Sequence, residues 1–368
     1  MSQGALVFIG TYTEPILFGT GAILQGKGKG IHLVQLDLDT GEMEGVGLIE
    51  GVPNPSYLAL DPSRRFLYAV NELKEFEGAP SGAVSAFSVD PNSGALTHIN
   101  SKPTHGTDPC HLTVHPTGAY VLVANFASGS VCVLPILEDG SLGDATDVVQ
   151  HQGSSVDPIR QAGPHAHAVT LDDSGRYVFV PDLGLDKLMV YQFELDRGAL
   201  EPADPPWLEV CPGAGPRQLV LGAQGRYAYL INELDSTITV LRCDLSAGIL
   251  GDIQTISTLP PAFEGASTCA ELQISPSGDF LYASNRGHDS IVFYAIDGEA
   301  GTLALIGHED TRGRNPRHFA LSPGGEFLLV ANQDSDNLVA FKVDPSSGEL
   351  VPTGHTVPVP TPVCVRFL

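Results

Sequence analysis

The sequence predicts an all-β fold, a seven-bladed β-propeller of four-stranded antiparallel blades, and three features carry that reading. A strand-turn-strand phrase recurs six times, and the two chain ends supply the halves of a seventh copy. Turn formers are in excess: 41 Gly and 28 Pro in 368 residues, against a usual combined share of about 12%. Hydrophobic residues still make up 42% of the chain, enough to bury a sizeable core and to exclude disorder.

The phrase runs as a small residue and Pro, a short alternating strand, a polar turn ending in Gly, an apolar strand and then Asn. In order it reads NPSYLALDPSRRFLYAVN (54–71), DPCHLTVHPTGAYVLVAN (108–125) and AHAVTLDDSGRYVFVPD (166–182). It continues as GPRQLVLGAQGRYAYLIN (215–232), TCAELQISPSGDFLYASN (268–285) and NPRHFALSPGGEFLLVAN (315–332). Copies begin at Pro55, Pro109, Ala166, Pro216, Cys269 and Pro316, in steps of 54, 57, 50, 53 and 47 residues. A third strand follows each, such as SVCVLPI, STITVLRCD, SIVFYAID or NLVAFKVD. A weaker fourth comes after turns of the type DPNSG, DPSSG or DGSLG. Period-two alternation bounded by Gly, Pro and Asp is a strand signal, and four-strand repeats of this length are propeller blades. No stretch has the 3.6-residue period of an amphipathic helix.

The ends complete the count. TPVCVRFL (361–368) is a first strand without a second, while ALVFIGTYT (5–13) and KGIHLVQLD (29–37) are second and third strands without a first. Joined, they close the ring and remove its free edges, so residues 1–368 are expected to form one propeller domain. Residues 14–28 stand as an insertion in the split blade, and 74–80 and 150–163 as other long connectors. Loops of this kind often carry function.

The formal net charge is −24. Such a surface repels phosphate backbones and anionic lipid, so neither nucleic acid nor a membrane is an expected partner. An anionic substrate would need a local cluster of Arg, Lys or His. Six cysteines without a CxxC pair suggest neither a zinc site nor a redox motif, and leave one disulfide open. The start, MSQGALVFIG, lacks a basic n-region, and no apolar run approaches the ~18 residues that span a bilayer. A reduced, cytoplasmic protein is the expectation.

Inner strands of a propeller begin beside the central channel. The position after each repeat's Pro, or its equivalent, gives Ser56, Cys110, His167, Arg217, Ala270, Arg317 and Val363. The next gives Tyr57, His111, Ala168, Gln218, Glu271, His318 and Cys364. The second strand returns to the same face, and the residue after its Asn gives Glu72, Phe126, Leu183, Glu233, Arg286 and Gln333. Polar residues at strand ends are ordinary in repeat proteins; three Arg in so acidic a chain are not. They point to a small anionic or carbonyl-rich ligand at one channel mouth.

GPHAHAVTLDDSGRYVFVPDLGLDKL, GPRQLVLGAQGRYAYLINELDSTI, ELQISPSGDFLYASNRGHDSI and NPRHFALSPGGEFLLVANQDSDNLV resemble the lactonase family of seven-bladed propellers. That resemblance covers nearly the whole chain. It implies a catalytic set of His167 (in HAHAV), Arg217 (in GPRQ), Glu233 (in INELDS) and Arg286 (in SNRGHDS). Where many members have GPRH this chain has GPRQ, so an amide stands at Gln218. The implied activity is hydrolysis of a small sugar-type lactone, with 6-phosphogluconolactone the leading substrate and no cofactor. Glu233 or His167 would serve as general base or acid. Arg217 and Arg286 would stabilise an oxyanion or hold a substrate anion bidentately. Arg317, His111, His318 and Glu271 are further candidates for substrate contact, with Arg317 expected to matter less than the other arginines unless the substrate carries a second anionic group.

Other readings compete. A lactonizing cyclase acting on a carboxymuconate would use the same four residues. A protein-interaction platform is disfavoured by the lack of WD dipeptides and the single Trp207. GAILQGKG (21–28) opens like a phosphate loop but has Gly28 where Ser or Thr must reach Mg²⁺, although Lys27 and Lys29 could still meet an anion. His165 and His167 have strand-type metal spacing without a third ligand. The Asn71-Glu72 and Asn232-Glu233 pairs could hold a hard cation, but Asn recurs in most blades and turn hydrogen bonding accounts for it better. No metal is expected.

Overall fold

The computed structural model describes residues 4–222, 225–245 and 249–368. Seven four-stranded antiparallel sheets follow one another around a ring. The first blade comprises Leu58–Leu60, Phe66–Asn71, Ala83–Val89 and Leu96–Pro103, and the second Pro109–Val114, Tyr120–Asn125, Ser130–Pro135 and Asp147–Gln150. The third is Thr170–Leu171, Tyr177–Asp182, Lys187–Glu194 and Ala199–Glu209, and the fourth Pro216–Leu221, Tyr227–Asn232, Thr237–Asp244 and Ile249–Ser257. The fifth is Thr268–Ile274, Phe280–Arg286, Ser290–Ile296 and Leu303–Asp310, and the sixth Pro316–Leu321, Phe327–Asn332, Asn337–Val343 and Leu350–Pro358. In the seventh, Pro362–Phe367 pairs with Gly4–Thr11, then Gly30–Asp37 and Met43–Glu50. Among the described residues there is no α-helix.

The turn chemistry explains why the strands end where they do. At the first turn of a blade, Asp61 and Asp172 accept the backbone N–H of Phe66 (2.7 Å) and Tyr177 (2.6 Å), five residues on. At the outer turn, Asp90, Asp297 and Asp344 each accept two N–H groups, from residues two and three further along. These are Asx turns. Gly94 and Gly348 close two of them at φ +68° and +74°, a region other residues avoid.

Blades pack face to face through apolar side chains. Val131, Val178 and Val180 join the second and third blades, and Ile231, Val240, Leu281 and Val292 the fourth and fifth. Each such buried side chain contributes about 2 kcal/mol. A repeated polar link adds specificity. Tyr68, Tyr229 and Tyr282 occupy equivalent places in second strands, and each hydroxyl donates to a turn carbonyl of the next blade, at Gly140, Gly301 and Gly348.

One irregularity recurs where the inner strands meet the channel. The ladder skips Cys110 between Pro109 and His111, Arg217 between Pro216 and Gln218, and Arg317 between Pro316 and His318. A bulged residue is released from strand pairing and its side chain re-aimed. The recurrent Asn sits opposite the bulge. Asn71, Asn125, Asn285 and Asn332 donate to the carbonyls of Pro53, Thr104, Thr258 and Thr311, in the connectors that enter their blades. The Asn residues therefore act as clamps within the fold.

Closure depends on the last strand. Val365 packs with Val7, Ile9, Ala320 and Leu329 in one core, and Cys364 with Phe8 and Leu67 in the next. Deleting residues 361–368 uncovers both cores and frees the edge of Gly4–Thr11. The truncated protein should be insoluble or show no cooperative melt, and an unchanged melting temperature would contradict a ring closed in this way.

Candidate active site

The bulges and strand ends of the third to sixth blades converge on a cavity of about 500 Å³ at one channel mouth, a size suited to a small ligand. Its wall holds His167, Arg217, Glu233, Arg286 and Arg317, together with Glu72, Cys110, Arg160 and Arg314. Residues Ile16–Thr20 of the insertion form part of the rim.

Glu233 is the hub. One carboxylate oxygen accepts Nη2–H of Arg160 at 2.6 Å. The other accepts Nη1–H of Arg217 at 2.6 Å and Nη2–H of Arg286 at 2.8 Å. Burial alone would lift this carboxyl, but Arg286, Arg217 and Arg160 together hold it well below the usual carboxylate range. Arg217 is fixed further by Nε–H donation to the Ala270 carbonyl, and Arg286 by donation to that of Cys269. Nε of Arg160 and of Arg286 is buried without a protein partner.

His167 is the uncharged member. Arg217 Nη1 meets its Nε2; since a guanidinium only donates, Nε2 accepts and Nδ1 carries the proton. Burial first, and then Arg217, push the imidazole well below its ordinary value, against the opposing charge of Glu233. Its Nε2 lies 3.9 Å from Glu233 Oε2. Cys110, beside it, has its thiol pushed up by burial and is a poor nucleophile. Glu72, also in the wall, accepts the Tyr12 hydroxyl at 3.0 Å, and burial raises its carboxyl against the pull of Arg317.

Residues 6–367 match the family described as lactonase, 7-bladed beta-propeller. The chain belongs to that family. The 6-phosphogluconolactonase of Bacillus subtilis is 34% identical over 98% of this chain and 97% of its own length. The 6-phosphogluconolactonase of Formosa agariphila is 34% identical over 86% of each chain. A solved structure of a periplasmic gluconolactonase from Pseudomonas aeruginosa superposes with a TM-score of 0.92 at 37% identity, covering 100% of this chain and 99% of the other.

In this lactonase-family propeller the sequence-derived residues fall into two tiers. His167, Arg217, Glu233, Arg286 and Arg317 share the mouth cavity. His111, His318, Glu271 and Gln218 line a smaller void of about 20 Å³ with Tyr57, in which Arg217 and Arg317 also take part. There Glu271 accepts from Gln218 (3.2 Å) and Gln273 (3.1 Å), with His318 Nε2 at 3.4 Å. His111 and His318 accept the N–H of Val169 and Val365 on adjoining blades. The second tier is a support beneath the mouth rather than part of its wall. Lys27 and Lys29 face Asp336 and Glu50 instead of the cavity. His165 Nδ1–H donates to the Phe126 carbonyl at 2.9 Å and its ring stacks on Phe126, which also meets the His167 ring edge to face at 5.2 Å. Among the described residues no three His, Cys, Asp or Glu are grouped to hold a metal ion.

Sequence reasoning missed Arg160 and gave Glu72 no place among the site residues. Arg160 is the only arginine of the 150–163 connector, which was a signal available in so acidic a chain. That connector is folded by Asp157, which accepts the N–H of Ile159 and Arg160, and by Gln161, which donates to the Leu183 carbonyl.

Two stability predictions follow from these charges. Removing one partner of a buried ionic cluster typically costs about 3–5 kcal/mol, so Glu233→Gln should lower stability by roughly that amount, and Arg160→Gln by less, as measured by denaturant unfolding. Glu271 is raised to about 7 by burial, against the hydrogen bonds from Gln273 and Gln218. An acid held protonated in the folded state contributes stability that is lost as pH rises from its unfolded value toward 7. Glu271→Gln should therefore melt higher than the parent at pH 8, by up to about 3 kcal/mol, and close to it at pH 4.5.

Proposed function

We propose that this chain hydrolyses a small sugar-type lactone, with 6-phosphogluconolactone the leading substrate, without a metal or other cofactor. The observation that carries the reading is the wall of three guanidiniums and a neutral imidazole gathered on Glu233. Ester opening needs donors where the carbonyl oxygen turns anionic, and a group to take a proton from water. Arg217 and Arg286 supply fixed positive charge for the first task, in a cavity where low dielectric strengthens it. The names of the relatives support the substrate class.

Burial of Glu233 among three arginines argues against it as the proton acceptor, since both its oxygens are engaged. His167 is the better candidate. It is uncharged at neutral pH; Nε2 takes the proton once Arg217 Nη1 turns from it to the substrate oxygen, and the imidazolium so formed would face the Glu233 carboxylate. On this assignment Glu233 organises the arginines and stabilises the charge that develops on His167. The proton then passes to the leaving alkoxide.

A cytoplasmic location belongs to the same reading. All six cysteines are unpaired, with Cys211 exposed, which suits a reducing compartment. Among the described residues no helix is long and apolar enough to cross a membrane.

Purified protein should open 6-phosphogluconolactone faster than the spontaneous rate, with the activity retained in EDTA. His167→Ala should lower kcat by at least ~100-fold with folding intact. Because His167 already carries no charge at neutral pH, its acid limb lies below pH 6.5 and kcat/KM should be level between pH 6.5 and 8. Cyclisation of a carboxymuconate without lactone opening would move the protein to the cyclase class. Full activity of His167→Ala would remove the base from this assignment.

A further inference from the structure

The arginines of the mouth are not equivalent. Arg160, Arg217 and Arg286 are paired with one carboxylate, and Arg314 is exposed on the rim. Arg317 is partly buried, and among the described residues its guanidinium has neither a carboxylate within 4 Å nor a hydrogen bond to the protein. Two aromatic rings hold it instead. Its guanidinium carbon lies 5.4 Å from the centre of Tyr12 and 5.5 Å from that of Phe18, and the two rings meet edge to face at 6.3 Å. Rings fix a guanidinium by cation–π attraction without using its N–H donors, so all five remain available for a planar, bidentate contact with an anion.

Local structure is built around this corner. The Tyr12 hydroxyl donates to Glu72, which sets the ring; Glu72 makes no ion pair with Arg317 within 4 Å, although its charge is felt there. Phe18 belongs to the 14–28 insertion. A short ribbon pairing Ile16–Leu17 with Ile23–Leu24 carries it, and Ile16 and Tyr12 pack with Val363 beneath. The insertion thus brings one ring over the channel mouth where a bare blade turn would bring none. Around the ring, His167, Arg217 and Arg286 come from the third to fifth blades, and Arg317 and Phe18 from the sixth and seventh. A single sugar ring in the ~500 Å³ cavity can therefore present its carbonyl to the first group and its far end to the second.

We propose that Arg317, held in the corner made by Tyr12 and Phe18, is the seat for a phosphate monoester at the far end of the substrate, and that the 14–28 insertion confers preference for phosphorylated over free sugar lactones. The inference rests on the lactonase reading and moves the anion seat to Arg317; the sequence left Arg217 and Arg286 open between oxyanion and substrate anion and ranked Arg317 lower unless the substrate carries a second anionic group.

The test compares kcat/KM for 6-phosphogluconolactone and for glucono-δ-lactone. Arg317→Gln should reduce the ratio of the two by about tenfold or more, as expected for a lost charge-assisted contact. Phe18→Leu should reduce it severalfold through KM, and Arg317→Lys should fall between parent and Gln variant. A ratio unchanged in both Arg317→Gln and Phe18→Leu overturns the seat while leaving lactone hydrolysis standing. If the parent opens neither lactone, the lactonase reading fails, and the seat is judged by calorimetry with inorganic phosphate. Binding that is weakened tenfold in Arg317→Gln then supports it; no binding to the parent, or equal binding to both, overturns it.

Discussion

Three guanidiniums cannot share a dry wall unless something negative stands among them, and the Glu233 carboxylate meets that condition. Without it, Arg160, Arg217 and Arg286 would repel one another in a medium that screens charge poorly. With it, the group carries two net positive charges inside a chain of net charge −24. The fold is arranged to permit this. Glu233 stands at the end of the fourth blade's second strand, Arg217 bulges from the strand beside it, Arg286 ends the equivalent strand of the fifth blade, and a long connector brings Arg160 from the other side. Neutral His167 can then sit against Arg217 without adding to the repulsion.

Local field and global field are opposed in consequence. A formal net charge of −24 would repel polyanions at long range, while the mouth gathers positive charge that a small anion could meet under the proposed function. Selectivity of this kind comes from size as much as from charge.

Most of the fold was legible because each blade repeats one set of physical requirements. Apolar alternation marked the strands, Asp and Gly marked the turns, and Asn marked the end of each second strand. Arg217 and Arg317 could be placed at the channel because the residue after the repeat's Pro is the one the ladder skips. Legibility stopped where the repeat stopped. Arg160 and Phe18 lie in segments with no counterpart in other blades, so no periodicity could say that one would reach Glu233 and the other Arg317. Two strand starts also shifted. The first blade's inner strand begins at Leu58 rather than near Pro55, because Asn54 adopts φ +38° and its side chain accepts the N–H of Thr13 and Glu14. In the third, Ala166 makes only an isolated bridge to Asp182, and pairing resumes at Thr170. Depth was the other blind spot. Neighbouring positions along one strand, such as Arg317 and His318, both stood as candidates for substrate contact, whereas Arg317 reaches the mouth cavity and His318 lines only the smaller void.

The seam that closes the ring runs beside the mouth. Tyr12 donates its N–H to the Thr361 carbonyl at 3.1 Å, and Thr361 in turn accepts from Lys27 and donates to Asp336. Thus the stitch between the two ends of the chain passes through residues one step from the Arg317 corner. An open ring has no such corner, so any ligand held there binds the closed form alone. Such a ligand would stabilise closure by RT ln(1 + L/Kd), L being its free concentration, so the two ends would be held together more firmly with the corner filled.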